Sequence, residues 1–501
     1  MIGNEREQKV QLAGAMSGGL FLAGLLVLGI ALRFWRLSHW AFDSDEIFML
    51  RDSLYPRPSN PRPLLYYVNH YLVAPLVPLD EFGLRLLPAV FGVLAIPAFY
   101  FVCRRLLGTR AALLGALLLT VSGLHVYYSQ FGRYWSLVFL LTAVYPYAIY
   151  IGVRERDRRA LGVGLTTGLL ASVAHPVSVL LVGGPALWFL GRFLTPRNLA
   201  AWWRQRSVRW GALVLVILLA AIAVRFIPIL QGWVSSHDKN PGSGQFLLRT
   251  PAPVGVKQAF YLLGYVQGWT FSVVLTGMMG IYLLWRGHDR FLARFLTSLA
   301  IFPIGFITLA SIRTPVSAYY LIPVAPVFFL GAGYFLDRLF AVDWKGSPLR
   351  ILPATVLALI LIEGAPTLVS QYLNGRRYDF KSAARWLQPR LSSGDVVFSD
   401  QPVALGYYLP QLEVRRLRFN TAPLGESLRL MRQAGPGAAL WIVAPSPGHA
   451  FRTRLREGGL AEWIYGNCQL RNSIGTGRVD FRQQYLQVYR CPPAGDSASS
   501  S

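Results

Sequence analysis

Eleven long apolar stretches, most of them separated by short polar turns, constrain this chain more than any other feature. A helix that crosses a membrane needs roughly 20 apolar residues. The segments 12–34, 84–103, 111–128, 134–153, 160–175, 177–195, 210–230, 259–285, 292–311, 317–337 and 351–371 approach or exceed that length. The 501 residues are 53% hydrophobic and 15% charged, whereas a soluble domain carries about 25% charged residues. The pattern predicts a polytopic α-helical membrane protein of about 11 spans over residues 1–371. An Arg-rich soluble region follows at 372–493, then a Ser- and Ala-rich tail at 494–501 that is expected to be disordered.

Charge sets the expected orientation. The loops 103–110, 154–159, 192–209, 286–294 and 338–350 are basic, and the positive-inside rule assigns such loops to the cytoplasm. The N-terminus then lies inside, and an odd number of spans leaves the C-terminal region outside. Leu12–Leu32 lacks a small-residue cleavage site and reads as a retained anchor. Pro63–Leu79 is apolar but carries Asn69, His70, Pro75 and Pro78, so it is expected to lie in the outer interface. The formal net charge of +25 sits largely on Arg flanking apolar segments, with Lys only at Lys9, Lys239, Lys257, Lys345 and Lys381. No basic and aromatic run marks one soluble face, which argues against nucleic acid as a partner.

Polar groups gather in the expected outer loops. The first, over 37–83, contains WAFDSDEIFML, with Asp43, Asp45 and Glu46 beside a membrane helix, where desolvating charge is costly. A plain alternative is helix capping by Asp43 or Ser44, with Asp45 and Glu46 in the first turn. Gln130 and Arg133 interrupt the aromatic stretch LHVYYSQFGRYWSL, and Arg313 opens RTPVSAYYLIPVAP. Both Arg oppose the positive-inside trend and suit an anionic group at the membrane surface, although an interfacial belt with a snorkelling Arg gives the same pattern. His175, before Pro176, fits a helix break as well as a site.

Location narrows the chemistry. Nucleotide sugars and ATP are scarce outside the cytoplasm, so an enzyme there needs an activated donor already in the bilayer, such as a polyprenyl-phosphate sugar. An acceptor hydroxyl would attack the anomeric carbon while a carboxylate takes its proton and Arg, or a metal, stabilises the leaving phosphate.

The order of these elements resembles the dolichyl-phosphate-mannose protein mannosyltransferase family. Its bacterial relatives include the aminoarabinose and lipopolysaccharide-core sugar transferases. The resemblance covers about residues 15–340 and rests on Asp45-Glu46, Pro63-Leu64-Leu65-Tyr66-Tyr67 and the RLLPAVFGVLAIPAFYFVCRRLLG segment. It continues through Ser129-Gln130-x-x-Arg133, His175 and the Arg313-Thr314-Pro315 run with Tyr319 and Tyr320. It departs from the bacterial pattern at Phe131-Gly132, Trp135 and Pro176.

The resemblance implies a GT-C fold, a polyprenyl-phosphate sugar donor, inversion at the anomeric carbon and a bacterial plasma-membrane location. It makes Asp45 the leading base, with Asp43 and Glu46 beside it, and Arg133, Arg313 and Gln130 toward the donor phosphate. Tyr66, Tyr67, His175, Tyr319 and Tyr320 line the implied substrate pocket. The acceptor is a lipid, glycan or protein. Asp43-x-Asp45 also matches a metal-binding Asp-x-Asp pattern, leaving a divalent metal open.

Residues 372–493 read as a small α/β domain. Strands are expected at DVVFSD, VRRLRF and ALWIVAP, a closing hairpin at CQLRNSI and QYLQVYRC, and helices at 379–391, 425–433 and 449–459. Cys468 and Cys491 would pair in an oxidising compartment, while Cys103 is expected to remain a free thiol. A transporter or flippase would instead place ionisable groups near the bilayer midplane. A non-catalytic envelope assembly protein would leave the DSDE loop without a role.

Overall fold

The computed structural model describes residues 2–57, 63–193, 270–287, 289–313, 318–344, 347–375, 377–416, 438–445, 460–475 and 485–491. The span expected at 210–230, the start of 259–285, the helices expected at 425–433 and 449–459, and the tail 494–501 lie outside the described residues. Among the described residues, five helical segments are long and apolar enough to cross a membrane: Gly83–Leu107, Trp135–Arg154, Arg290–Ala310, Tyr319–Ala341 and Pro348–Leu373. The pair Thr109–Val121 and Gly123–Ser129, bent by 62°, makes a sixth. Gly18–Phe34, Pro176–Leu187 and Phe271–Arg286 are apolar but shorter. The protein is a multi-pass helical membrane protein.

In chain order the helices are α1 (Ile2–Phe34), α2 (Ser44–Leu54), α3 (Pro63–Val68), α4 (Gly83–Leu107), α5 (Thr109–Val121) and α6 (Gly123–Ser129). There follow α7 (Trp135–Thr142), α8 (Tyr145–Arg154), α9 (Arg158–Ala174), α10 (Leu180–Phe193), α11 (Phe271–Arg286) and α12 (Arg290–Arg313). The bundle closes with α13 (Ala325–Ala341) and α14 (Leu352–Asn374). Small residues let these helices approach closely, as membrane packing favours. A Cβ on Gly280 of α11 would lie 1.9 Å from the Gly331 carbonyl oxygen of α13. Pro63–Val73 forms α3 and one π-helical turn rather than a continuous span.

Beyond α14 come α15 (Phe380–Leu387), α16 (Pro402–Tyr408), α17 (Leu460–Asn467) and five strands. These are β1 (Val396–Ser399), β2 (Val414–Arg416), β3 (Leu440–Pro445), β4 (Gln469–Ile474) and β5 (Leu486–Cys491). They form one sheet in the order β2-β1-β3-β5-β4. The β1 pairings with β2 and β3 are parallel, and β5 runs antiparallel to β3 and β4. A disulfide joins Cys468 and Cys491.

This C-terminal layer is fastened to the loop between α1 and α4. Gly375 ends α14 in the left-handed conformation, φ 65°, where a Cβ would lie 2.5 Å from the Trp40 ring. The Tyr408 hydroxyl accepts from the Phe42 N–H at 2.7 Å and donates to Glu81 Oε1 at 3.0 Å. Lys381 Nζ reaches the same Glu81 oxygen at 2.8 Å, and Ser44 Oγ donates to Gln401 Oε1 at 3.0 Å.

Candidate active site

The loop following α1 becomes helical at Ser44 because a capping box starts α2 there. The Asp43 carboxylate accepts from the Asp45 N–H at 2.9 Å, and Glu46 Oε2 accepts from the Asp43 N–H at 3.0 Å. Capping and the carboxylate cluster are thus one device: the turn that satisfies the helix end also fixes three acidic side chains in different directions.

Glu46 points inward and is saturated. Its Oε1 accepts from Arg85 Nε at 2.7 Å and from the Gly132 N–H at 2.7 Å. Its Oε2 accepts from Arg85 Nη2 at 2.8 Å and Arg377 Nη1 at 2.7 Å. Burial alone raises such a carboxyl, but the Arg377 and Arg85 guanidiniums outweigh it and hold Glu46 down to about 2. Arg85 also donates to the Leu37, Trp40 and Ala41 carbonyls at 3.0, 2.8 and 2.9 Å. Arg377 lies over the Tyr127 and Phe131 rings, 5.6 and 5.5 Å from their centroids. Phe131-Gly132, the pair that departs from the bacterial pattern, therefore serves this hub. Phe131 seats Arg377, and a Cβ on Gly132 would stand 3.1 Å from Glu46 Oε1.

Asp45 points the other way. Its side chain is 35% exposed, 3.9 Å from Arg133 Nη2. Among the described residues no donor hydrogen-bonds to its carboxylate, so its lone pairs are available to a substrate proton. Its backbone carbonyl accepts from Arg133 Nη1 at 2.8 Å, which ties the guanidinium to the first turn of α2. Arg133 is buried, and its Nε has no hydrogen-bond partner. Asp43, packed at the helix start, is pushed up to about 6 by burial and then by the Asp45 charge.

An aromatic wall continues from Arg133. Its guanidinium stands 5.1 Å from the Tyr134 ring centroid. His175 packs on Tyr134, Trp135 and Tyr320 at 5.0, 4.9 and 5.6 Å, and Trp135 meets Tyr319 at 4.9 Å. His175 Nδ1 accepts from the Val177 N–H at 3.1 Å, so the helix break at Pro176 is capped by this ring. Tyr67 is directed elsewhere, stacked on the exposed Tyr71 at 6.1 Å. Arg313 ends α12, and its side chain lies outside what is described.

Gln130 does not face this wall. Its Nε2 donates to the Leu32, Arg33 and Trp35 carbonyls at 3.2, 3.2 and 2.9 Å, and its Oε1 accepts from Gln371 at 2.7 Å. Both ends of the amide are engaged in closing the α1 terminus onto α14, so the phosphate-binding role expected of Gln130 gives way to a structural one. Arg85 and Arg377, which the sequence reading did not single out, carry the site's framework.

No protein-family model matches the chain, and no curated protein matches it by sequence. Solved structures do match, and the fold they share with this chain is that of the GT-C membrane glycosyltransferases. One is ArnT from Cupriavidus metallidurans bound to undecaprenyl phosphate, at TM-score 0.52 and 15% identity, covering 94% of this chain and 97% of that one. Its apo state matches at TM-score 0.53 and 16% identity, over 95% and 98%. The Archaeoglobus fulgidus oligosaccharyltransferase tethered to an acceptor peptide matches at TM-score 0.51 and 14% identity, over 94% of this chain and 75% of that one. At such identities the likeness concerns the fold alone.

The same oligosaccharyltransferase has also been solved with zinc and sulfate. Here Glu46 meets Arg85 and Arg377, Asp45 lies 3.9 Å from Arg133, and the Asp43 carboxylate caps α2. Among the described residues no group of three or more His, Cys, Asp or Glu side chains is placed to hold a metal ion. Glu46, occupied by Arg85, Arg377 and the Gly132 N–H, has no lone pair left for a cation, which leaves Asp43 and Asp45 as the pair an Asp-x-Asp site would use.

Proposed function

We propose that this protein is an inverting glycosyltransferase that moves a sugar from a polyprenyl-phosphate carrier to an acceptor hydroxyl at the extracytoplasmic face. The observation that carries the proposal is the division of labour among three adjacent carboxylates. Glu46 is saturated and Asp43 caps α2, which leaves Asp45 open beside the buried Arg133. In the reaction Asp45 takes the proton of the acceptor hydroxyl as its oxygen bonds to the anomeric carbon. The bond from that carbon to the phosphate oxygen breaks, and the electron pair leaves with the lipid phosphate. Arg133, with an unpartnered Nε, stabilises the departing anion. Tyr66, Tyr134, Tyr319, Tyr320 and His175 supply the wall against which the sugar lies.

In this reading the chain crosses the membrane eleven times, with the N-terminus in the cytoplasm and the C-terminal α/β layer outside. The binding of undecaprenyl phosphate by ArnT and of an acceptor peptide by the oligosaccharyltransferase supports a lipid-linked donor and a lipid or protein acceptor. The test is an assay of the purified full-length protein in detergent with polyprenyl-phosphate sugars and an envelope extract. Transfer to the extract with release of free polyprenyl phosphate is expected. Turnover of a nucleotide sugar alone, or no turnover of any lipid-phosphate sugar by folded protein, would count against the assignment.

A further inference from the structure

The end of the bundle remote from Asp45 carries a second constellation, which the proposed reaction does not use. Arg85 stands near the start of α4, and Leu106 and Leu107 stand at its other end, about 30 Å away along the helix. Two cavities adjoin there. The first, of about 740 Å³, is lined by Arg154, Arg286 and Arg290 with Asp289 and Phe291. The second, of about 540 Å³, is lined by Leu106, Leu107, Leu283, Leu284 and Leu292, with Arg338 among its other lining residues. They share Gly287 and Asp289, so a basic chamber opens beside an apolar one.

The charge in the basic chamber is unbalanced. Among the described residues its one carboxylate, Asp289, already pairs with Arg154 Nη1 at 2.5 Å and accepts from the Leu292 N–H at 3.0 Å. Among the described residues, Arg286 and Arg290 have no hydrogen-bond or ion-pair partner, and both are exposed. The surrounding surface matches a membrane boundary, since Tyr282, Trp285 and Phe291 are all exposed on the same two helices. A soluble anion has no use for five leucines, and a neutral lipid has none for two free guanidiniums.

We propose that the joined cavities hold an anionic phospholipid, its phosphate between Arg286 and Arg290 and an acyl chain along the leucines. Charge complementarity selects the headgroup, and the leucine-lined chamber selects a lipid over free phosphate. The site is separate from the donor site proposed at Arg133.

Full-length protein reconstituted into phosphatidylcholine vesicles doped with phosphatidylglycerol, then examined by native mass spectrometry, tests this directly. Wild type should retain phosphatidylglycerol in preference to phosphatidylcholine. The Arg286→Gln/Arg290→Gln pair should retain roughly 30-fold less, the effect of two basic groups near a membrane surface. Arg286→Lys/Arg290→Lys should keep most of the lipid and serves as the check that the fold survives. Equal retention of both lipids, or by the Gln pair and wild type, would overturn the proposal. Displacement by millimolar inorganic phosphate would make this a free-anion site, and preferential capture of undecaprenyl phosphate would make it a carrier site. Either result would also overturn it.

Discussion

The two ends of the helix bundle use the same kinds of ion pair to different effect. At the Asp45 end, Glu46, Arg85 and Arg377 are almost wholly buried and join residues 331 positions apart. At the other end Arg105 pairs with Glu155 and Asp157 at 2.7 and 2.6 Å, but the Arg105 and Glu155 side chains are 41% and 42% exposed. Water screens the exposed pairs, so they contribute little to stability. The buried cluster has no such screening, and removing one member strands a charge. Distances are nearly equal at the two ends, so environment decides which network sets the architecture.

Substitutions can break this comparison, beginning with the largest expected effect. Arg377→Met leaves Glu46 with Arg85 as its single cation and removes one charged hydrogen bond, and should cost about 1.5–3 kcal/mol, read as a lowered unfolding midpoint in detergent. An effect no larger than that of an exposed pair would mean the cluster only decorates the site. Gln130→Leu removes the donor to the Leu32, Arg33 and Trp35 carbonyls and should cost about 1–3 kcal/mol for the acceptors left unmet.

pH sharpens the contrast between neighbours. Glu46 is held at about 2 in the folded protein against 4.5 for the free side chain. Its stabilising contribution is full above 4.5 and disappears as pH falls through about 2. The melting gap between wild type and Glu46→Gln should therefore narrow with acidification over that window. Asp43 behaves oppositely, being raised from 3.8 to about 6, so its contribution is present below 3.8 and is lost as pH rises through about 6. Asp43→Asn, which still caps α2, should gain stability relative to wild type above that pH and not below 3.8. The smallest effect belongs to Arg105→Gln, whose melting curve should nearly overlie that of wild type.

What the sequence disclosed follows the range of the interaction involved. Apolar spans, the Asp43 cap and the short apolar strands Val396–Ser399 and Leu440–Pro445 are local patterns and were legible as such. The saturation of Glu46 in the DSDE loop was not. Glu46 and Asp45 are adjacent in sequence, yet a helical turn sends one into a cage of arginines and the other toward solvent. Arg85 reads as one more Arg at a span end, although its full burial among apolar residues is the costlier arrangement that marks it afterwards. Arg377 reads as a linker residue because its partner lies in the first long loop. Gln130 was misleading for the same reason, since the carbonyls it satisfies belong to the end of α1.

The central claim is that Asp45, and not its saturated neighbour, takes the acceptor proton. The most direct measurement compares sugar transfer from a polyprenyl-phosphate donor by wild type and Asp45→Asn, with donor binding and the unfolding midpoint recorded for both. Loss of transfer by roughly a hundred- to ten-thousand-fold, with binding and midpoint unchanged, is the predicted result. Transfer by Asp45→Asn at the wild-type rate would contradict it.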